Sequence, residues 1–242
     1  MDWRDEGIIL SVRAHGETAA VLEVLTRDHG RHLGLVHGGR SRTQRAVLQA
    51  GNHVDVIWKA RVVDALGHFG CELRRGFAAE AMDDAGALAA ISSICALAHL
   101  LPERDPHPSL YEVTLFVASF LSEPEVWPAL MVRWELGLLD EFGVGLDLSQ
   151  CASTGVTTGL VYVSPRTGRA VSAAAGAPYH DRLLRLPAFL AGDARTGASR
   201  EDVRAGLALT GHFLETRILQ PRNLPMPPAR LRLVELATRD AD

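Results

Sequence analysis

The chain predicts an α+β protein: a small five-stranded barrel over residues 1–78, then a helical domain over 79–242 interrupted by a β insert at 146–178. Three observations carry that reading. Short β-branched runs punctuated by glycine fill the first part of the chain. Apolar stripes at helical spacing take over from Ala78, and one segment between the later helices returns to strand-like alternation.

The strands come first. Ile8-Ile9-Leu10-Ser11-Val12-Arg13 stops at His15-Gly16, and Val21 to Thr26 closes at Asp28-His29-Gly30. Leu33 to Val36 ends at Gly38-Gly39, Val54-Asp55-Val56-Ile57-Trp58 alternates in period two, and Val62 to Phe69 completes the set. Closing such strands into a Greek-key barrel removes exposed edges; an open five-stranded sheet packed on the following helices is the alternative.

Asp83-Asp84 supply the acidic start of an Ala-rich helix that ends at Pro102. A second helix starts at Pro108, where a missing N–H costs nothing, and ends near Pro124. A third runs from about Pro124 to Phe142, with Val126, Leu130, Trp134, Leu138 and Phe142 as its stripe, and Gly143 stops it. Ser199-Arg200-Glu201-Asp202 resembles a capping box ahead of Val203, Leu207 and Leu214. The last helix begins around Pro227-Pro228 and carries Leu231, Val234 and Leu236. In the insert, Leu160–Ser164 and Arg169–Ser172 flank Pro165-Arg166-Thr167-Gly168 as a hairpin.

Composition narrows the function. The 242 residues are 47% hydrophobic and 22% charged, with a formal net charge of −4, so the molecule as a whole is not a polybasic nucleic-acid coat. Three cysteines without a C-x-x-C pair fit a reducing compartment. The acidic N-terminus is unlike a signal peptide, and the apolar run Ala85–Leu101 is too short and polar to span a bilayer. A cytoplasmic protein with no membrane role is expected.

Charge is unevenly placed. Between Arg31 and Arg61 lie six basic residues, Arg31, Arg40, Arg42, Arg45, Lys59 and Arg61, against the single acidic Asp55. His32, His37 and His53 share the stretch. Gly38-Gly39-Arg40-Ser41-Arg42-Thr43-Gln44-Arg45 concentrates the pattern: glycine lets backbone approach a ligand, and arginine forks suit phosphate oxygens. A basic loop beside barrel strands holds single-stranded nucleic acid by tracking its backbone, with a ring to stack on bases. Trp58 is the candidate ring, or else a core tryptophan. The six cations are the candidate DNA-binding residues.

Signs of catalysis are missing. There is no P-loop, no G-x-S-x-G elbow and no H-E-x-x-H helix, and the His29, His32, His37 cluster lacks the further ligands of a metal shell. A non-enzyme is expected.

Several segments in order resemble the RecO family of bacterial recombination mediators: Asp5-Glu6-Gly7-Ile8-Ile9-Leu10; Val36-His37-Gly38-Gly39-Arg40-Ser41-Arg42; Val132 to Gly143; Leu146 to Cys151; and Tyr162-Val163-Ser164-Pro165 with Gly168 to Ser172. The resemblance covers nearly the whole chain. It implies an N-terminal OB-fold, a helical domain and a zinc-ribbon-like insert. It further implies binding of single- and double-stranded DNA, annealing of complementary strands, and work with RecR. The family also helps load the RecA recombinase onto DNA coated by single-stranded DNA-binding protein, whose acidic C-terminal tail it recognises. Nucleoid association follows from that role.

On the same resemblance, Arg133 would receive the carboxylate end of the tail, with Trp134 or Leu138 supplying apolar contact; a surface arginine paired with Glu135 or Asp140 is the alternative. Zinc-bearing relatives have two C-x-x-C pairs in the insert, whereas here Cys151 stands alone, with Thr154, Ser172 and Ala175 near the other positions. One thiolate cannot hold structural zinc, so a metal-free insert packed on Leu160, Tyr162 and Val171 is expected, and no cofactor. Two other readings stay open: an OB-fold RNA- or ribosome-associated module, and an adaptor without nucleic-acid affinity.

Overall fold

A computed structural model describes residues 1–62, 65–191 and 197–239, in two compact units, Met1–Pro124 and Glu125–Asp242. The first holds β1 (Asp2–His15), β2 (Ala19–Thr26), β3 (Gly30–Val36), α1 (Arg42–Val47), β4 (His53–Lys59) and β5 (His68–Arg75), followed by α2 (Phe77–Glu80), α3 (Ala85–Ala98) and α4 (Pro108–Ser119). The five strands form a closed barrel in the order β1-β2-β3-β5-β4. Closure depends on the length of β1. Its first half pairs with β4 and its second half with β2, both antiparallel, while β3 and β5 meet in parallel at Leu35 and His68.

The expected first strand began at Ile8, but β1 begins at Asp2. Charged residues hide the alternation there: Trp3 packs against the barrel core while its neighbours Asp2 and Arg4 are exposed. The expected strand Val62–Phe69 is displaced to β5, and residues 63 and 64 of that expectation lie outside the described residues.

Ile9, Leu22, Val24, Val54, Val56, Trp58 and Phe69 fill the barrel. Gly7 is required where β1 crosses Val24, since a Cβ there would sit 2.3 Å from the valine Cγ1. Ile8 and Leu25 lie on the other side of their strands and are also fully buried. Their cover is α3. The Cys95 thiol donates to the Ile9 carbonyl at 3.5 Å, His99 Nδ1 lies 2.8 Å from Glu23 Oε1, and Arg31 Nε donates to the Leu101 carbonyl at 2.7 Å. Burial on both faces explains why β1 and β2 read as continuous apolar runs. It also places the unit boundary at Pro124, later than the 78/79 division the sequence suggests, because the barrel's outer face is finished by helices from beyond that point.

The second unit contains α5 (Trp127–Glu141), β6 (Leu160–Val163), β7 (Ala170–Ser172), α6 (Ala173–Gly176), β8 (Leu184–Arg185), α7 (Arg200–Phe213) and α8 (Pro228–Thr238). The hairpin β6–β7 forms as expected, and β8 adds an unexpected third strand on the other edge of β6. The capping box is present: the Ser199 hydroxyl accepts from Asp202 N–H at 3.1 Å, and Asp202 accepts from Ser199 N–H at 3.2 Å. Helices α5 and α7 approach closely at Gly206, where a Cβ would fall 2.8 Å from Val132 Cγ1.

The expected apolar face of α8 is rotated. Leu231 is 57% exposed, whereas Arg230 and Leu233 are buried. Arg230 is drawn inward by Glu135 of α5, with Nε and Nη2 donating to the two carboxylate oxygens at 2.8 and 2.9 Å. The Thr210 hydroxyl donates to the same carboxylate, and Arg230 also reaches the Leu207 carbonyl.

Candidate nucleic-acid interface

The basic segment after β3 is a short helix rather than a loop. Ser41 caps α1, its hydroxyl accepting from Gln44 N–H at 3.3 Å. Gly38 turns the chain with a left-handed φ of 66°, and Gly39 passes so close to Ala20 that a Cβ would lie 2.9 Å from the alanine methyl. Arg40 secures the turn: its Nη1 donates to the Gly16 and Glu17 carbonyls at 2.9 and 3.0 Å, and among the described residues it pairs with no carboxylate. Arg42 and Arg45 project from α1 into solvent. Among the described residues neither pairs with an acid.

Lys59 and Arg61, at the end of β4, are likewise exposed and without an acidic partner among the described residues. The two sets are joined. Lys59 sits opposite His68 in the β4–β5 register, and the His68 ring stacks on His37 with centroids 4.6 Å apart and planes at 21°. His37 directly precedes Gly38. The path Arg61, Lys59, His68, His37, Arg40 therefore runs across adjoining strands into α1. A cleft of about 700 Å³ opens beside it, lined by Lys59, Arg61, His68, Gly67, Met1 and Asp2. Further along the same strands the charge is cancelled, since Arg74 bridges Glu6 and Asp55.

Arg31, included in the sequence-predicted set, is not part of this track. Its Nη1 donates to Glu23 at 2.5 Å, its side chain is 12% exposed, and it belongs to the joint between β3 and α3. Glu23 has burial raising its carboxyl, but hydrogen bonds from Arg31, Ser11 and His99 outweigh this and hold it below the ordinary carboxylate range.

Trp58 is a core residue, 3% exposed, whose indole N–H is shared between the Leu33 and Leu66 carbonyls; it cannot stack on a base. Its neighbours are Trp3 and His32. His32 is 5% exposed with neither ring nitrogen hydrogen-bonded, and burial, then nearby Arg104, pushes it below the ordinary imidazole value.

In the second unit, Trp134 and Leu138 are fully buried, so they offer nothing to a partner. The helical stripe that singled them out marks the core face. Arg133 faces out; Nη2 donates to the Phe189 carbonyl at 2.5 Å and the guanidinium lies over the Phe189 ring at 5.7 Å. Its expected acidic neighbour Glu135 instead serves Arg230. His68 was missed because it lies outside the basic window, and only strand register brings it to Lys59.

With this geometry established, relatives carry the assignment further. A family model described as recombination protein O, N-terminal, matches residues 1–69, and one described as recombination protein O, C-terminal, matches residues 82–224. The chain belongs to the RecO family. It is 54% identical over 238 residues to a protein of Rhodospirillum centenum named DNA repair protein RecO, covering 97% of this chain and 94% of that one. A namesake in Methylobacterium nodulans is 51% identical over 245 residues, covering both chains fully, and one in Mesorhizobium japonicum is 50% identical, covering 95% of this chain and 91% of that one. The first of these matches includes Arg40 and Arg42, and the second includes Arg133. No helix among the described residues is long and apolar enough to cross a membrane.

Proposed function

We propose that this protein is a recombination mediator in DNA repair that seats DNA phosphates on the track formed by Arg40, Arg42, Arg45, Lys59 and Arg61. The single observation that carries the reading is that these cations are exposed and free of carboxylate partners among the described residues, with Lys59 linked through His68 and His37 to the turn that carries Arg40. The barrel is an OB-fold on this reading, supported by its strand order and by the parallel contact of β3 with β5. It acts by position, not by covalent chemistry. Neutralising phosphates on two strands lowers their repulsion and lets complementary bases meet. RecR, the tail of single-stranded DNA-binding protein, and RecA loading belong to the same proposal, with Arg133 as the contact for the tail's carboxylates. The protein would work in the cytoplasm, at the nucleoid.

Five phosphate contacts on a single strand give a log affinity against log salt slope of roughly −3 to −4. Anisotropy of a labelled oligodeoxynucleotide over a salt series tests this; a slope near zero contradicts it, and strong preference for RNA of equal length would instead favour an RNA-associated module.

We also propose that the insert needs no zinc. The Cys151 sulfur accepts from Ser172 N–H at 3.3 Å, and hydrogen bonds from the Ser172 and Thr154 side chains pull the thiol below its ordinary value. These donors stand near where relatives place further cysteines, and hydroxyls with a backbone N–H do not suit a zinc shell. One zinc per chain by elemental analysis would overturn this.

A further inference from the structure

We infer that His37 and His68 are phosphate ligands in their own right, and that they make polyanion binding on this face take up protons. The inference rests on the proposed role of the track and concerns how that same site is tuned. The two rings are exposed and stacked, His37 in the turn after β3 and His68 at the start of β5, at the middle of a row that has Lys59 and Arg61 on one side and Arg40 on the other. Neither imidazole has a carboxylate partner among the described residues, in contrast to His29, which is held 2.7 Å from Asp5.

The charged groups around them come from each adjoining element. Lys59 ends β4 and Arg61 follows it, Arg40 follows β3, and Asp2 and the Met1 amino group approach from β1, the amino group already committed to the Ala60 carbonyl at 2.8 Å. Among the described residues, cations thus outnumber Asp2 here. The two ring centroids lie 4.6 Å apart, so one phosphate laid across the row reaches both. An opposite charge in contact favours the protonated ring. Imidazole is the side chain whose charge changes within the physiological range. Each ring that gains a proton in the complex adds one more phosphate contact. Affinity therefore rises as pH falls, and the salt slope steepens with it.

The test uses the full chain and a short oligodeoxythymidine carrying a pH-insensitive dye, at constant ionic strength. From about pH 8 to about pH 6 the affinity should tighten roughly ten-fold or more, with the salt slope growing by about −0.7 for each ring protonated. The His37→Asn/His68→Asn variant should lose most of that tightening. His37→Lys/His68→Lys, which fixes the charge, should bind at about pH 8 nearly as tightly as the parent does at about pH 6. Absence of binding at every pH overturns the reading of the face itself. Binding whose pH dependence is the same in parent and His→Asn variant leaves that reading standing and overturns the proton coupling. Circular dichroism identifies any variant that misfolds, in which case the single substitution His68→Asn carries the comparison, with half the tightening lost expected and none lost overturning the inference.

Discussion

In the barrel unit, Arg42 and Arg45 stand in solvent with no acidic partner among the described residues, while in the helical unit Arg230 is 4% exposed and gripped by both oxygens of Glu135. The same side chain does opposite work in the two places. A guanidinium surrounded by carboxylate, hydroxyl and backbone carbonyl has its field cancelled at home and acts as a clamp between helices. One on a short solvent-exposed helix keeps its field for a ligand. Arg31 shows that neighbourhood in the sequence does not decide which fate applies, since it opens the basic stretch yet belongs with Arg230 in kind.

Removing the clamped arginines should give the largest effects. Arg230→Ala leaves Glu135 buried and unpaired, and the second unit should lose about 3–5 kcal/mol in urea unfolding, with oligonucleotide affinity per folded molecule unchanged. Arg31→Ala should act in the same direction on the first unit but less strongly, since Glu23 keeps Ser11 and His99, and a changed salt slope without lost stability would return Arg31 to the track. Replacing Glu135 and Arg230 together by Leu and Met should recover most of the loss.

A smaller effect is expected from acid. His32 is held neutral by burial, so its folded value lies below the unfolded one. The unfolded chain then binds the proton first, near its ordinary value of about 6.5. Stability from this group is complete above that pH and is lost as pH falls through it toward the lower folded value. Between about pH 7.5 and about pH 5.5 the first unit should lose on the order of 1 kcal/mol, and His32→Leu should remove that share. Equal acid sensitivity in parent and variant would show that the ring is not the cause.

Much of the fold could be read in the residues, for stated reasons. Glycine punctuation marked the barrel strands, and the Ser199 to Asp202 capping box marked α7, because turn and cap chemistry is local. What failed was whatever tertiary packing decides. Asp2 to Glu6 carries charge on its outer face, so the first half of β1 looked like a tail, although Trp3 packs inside. Trp58 looked like a stacking ring because Lys59 and Arg61 adjoin it, but period two turns those neighbours to opposite sides. Trp134 and Leu138 share a helix with Arg133, and the spacing that made them conspicuous is the spacing of a core. The candidate interface was half legible: α1 gathers its arginines within one turn, but His68 reaches the track only through its register with Lys59.

The smallest expected effect is at Arg133. Its alanine variant loses a carbonyl hydrogen bond and a partly exposed ring contact, so stability should change by about 0.5–1 kcal/mol. Affinity for an acidic C-terminal tail peptide, followed by calorimetry, should fall if this cation receives the carboxylates; an unchanged affinity moves that contact elsewhere.

The most direct measurement is the salt dependence of oligodeoxynucleotide affinity for Arg42→Ala/Arg45→Ala/Lys59→Ala/Arg61→Ala beside the parent, with unfolding followed in the same samples. Loss of four phosphate contacts should bring the slope about 3 units nearer zero while the midpoint of unfolding stays put. A parental slope in a folded variant would contradict the account, because the phosphates would then be held somewhere other than on these cations.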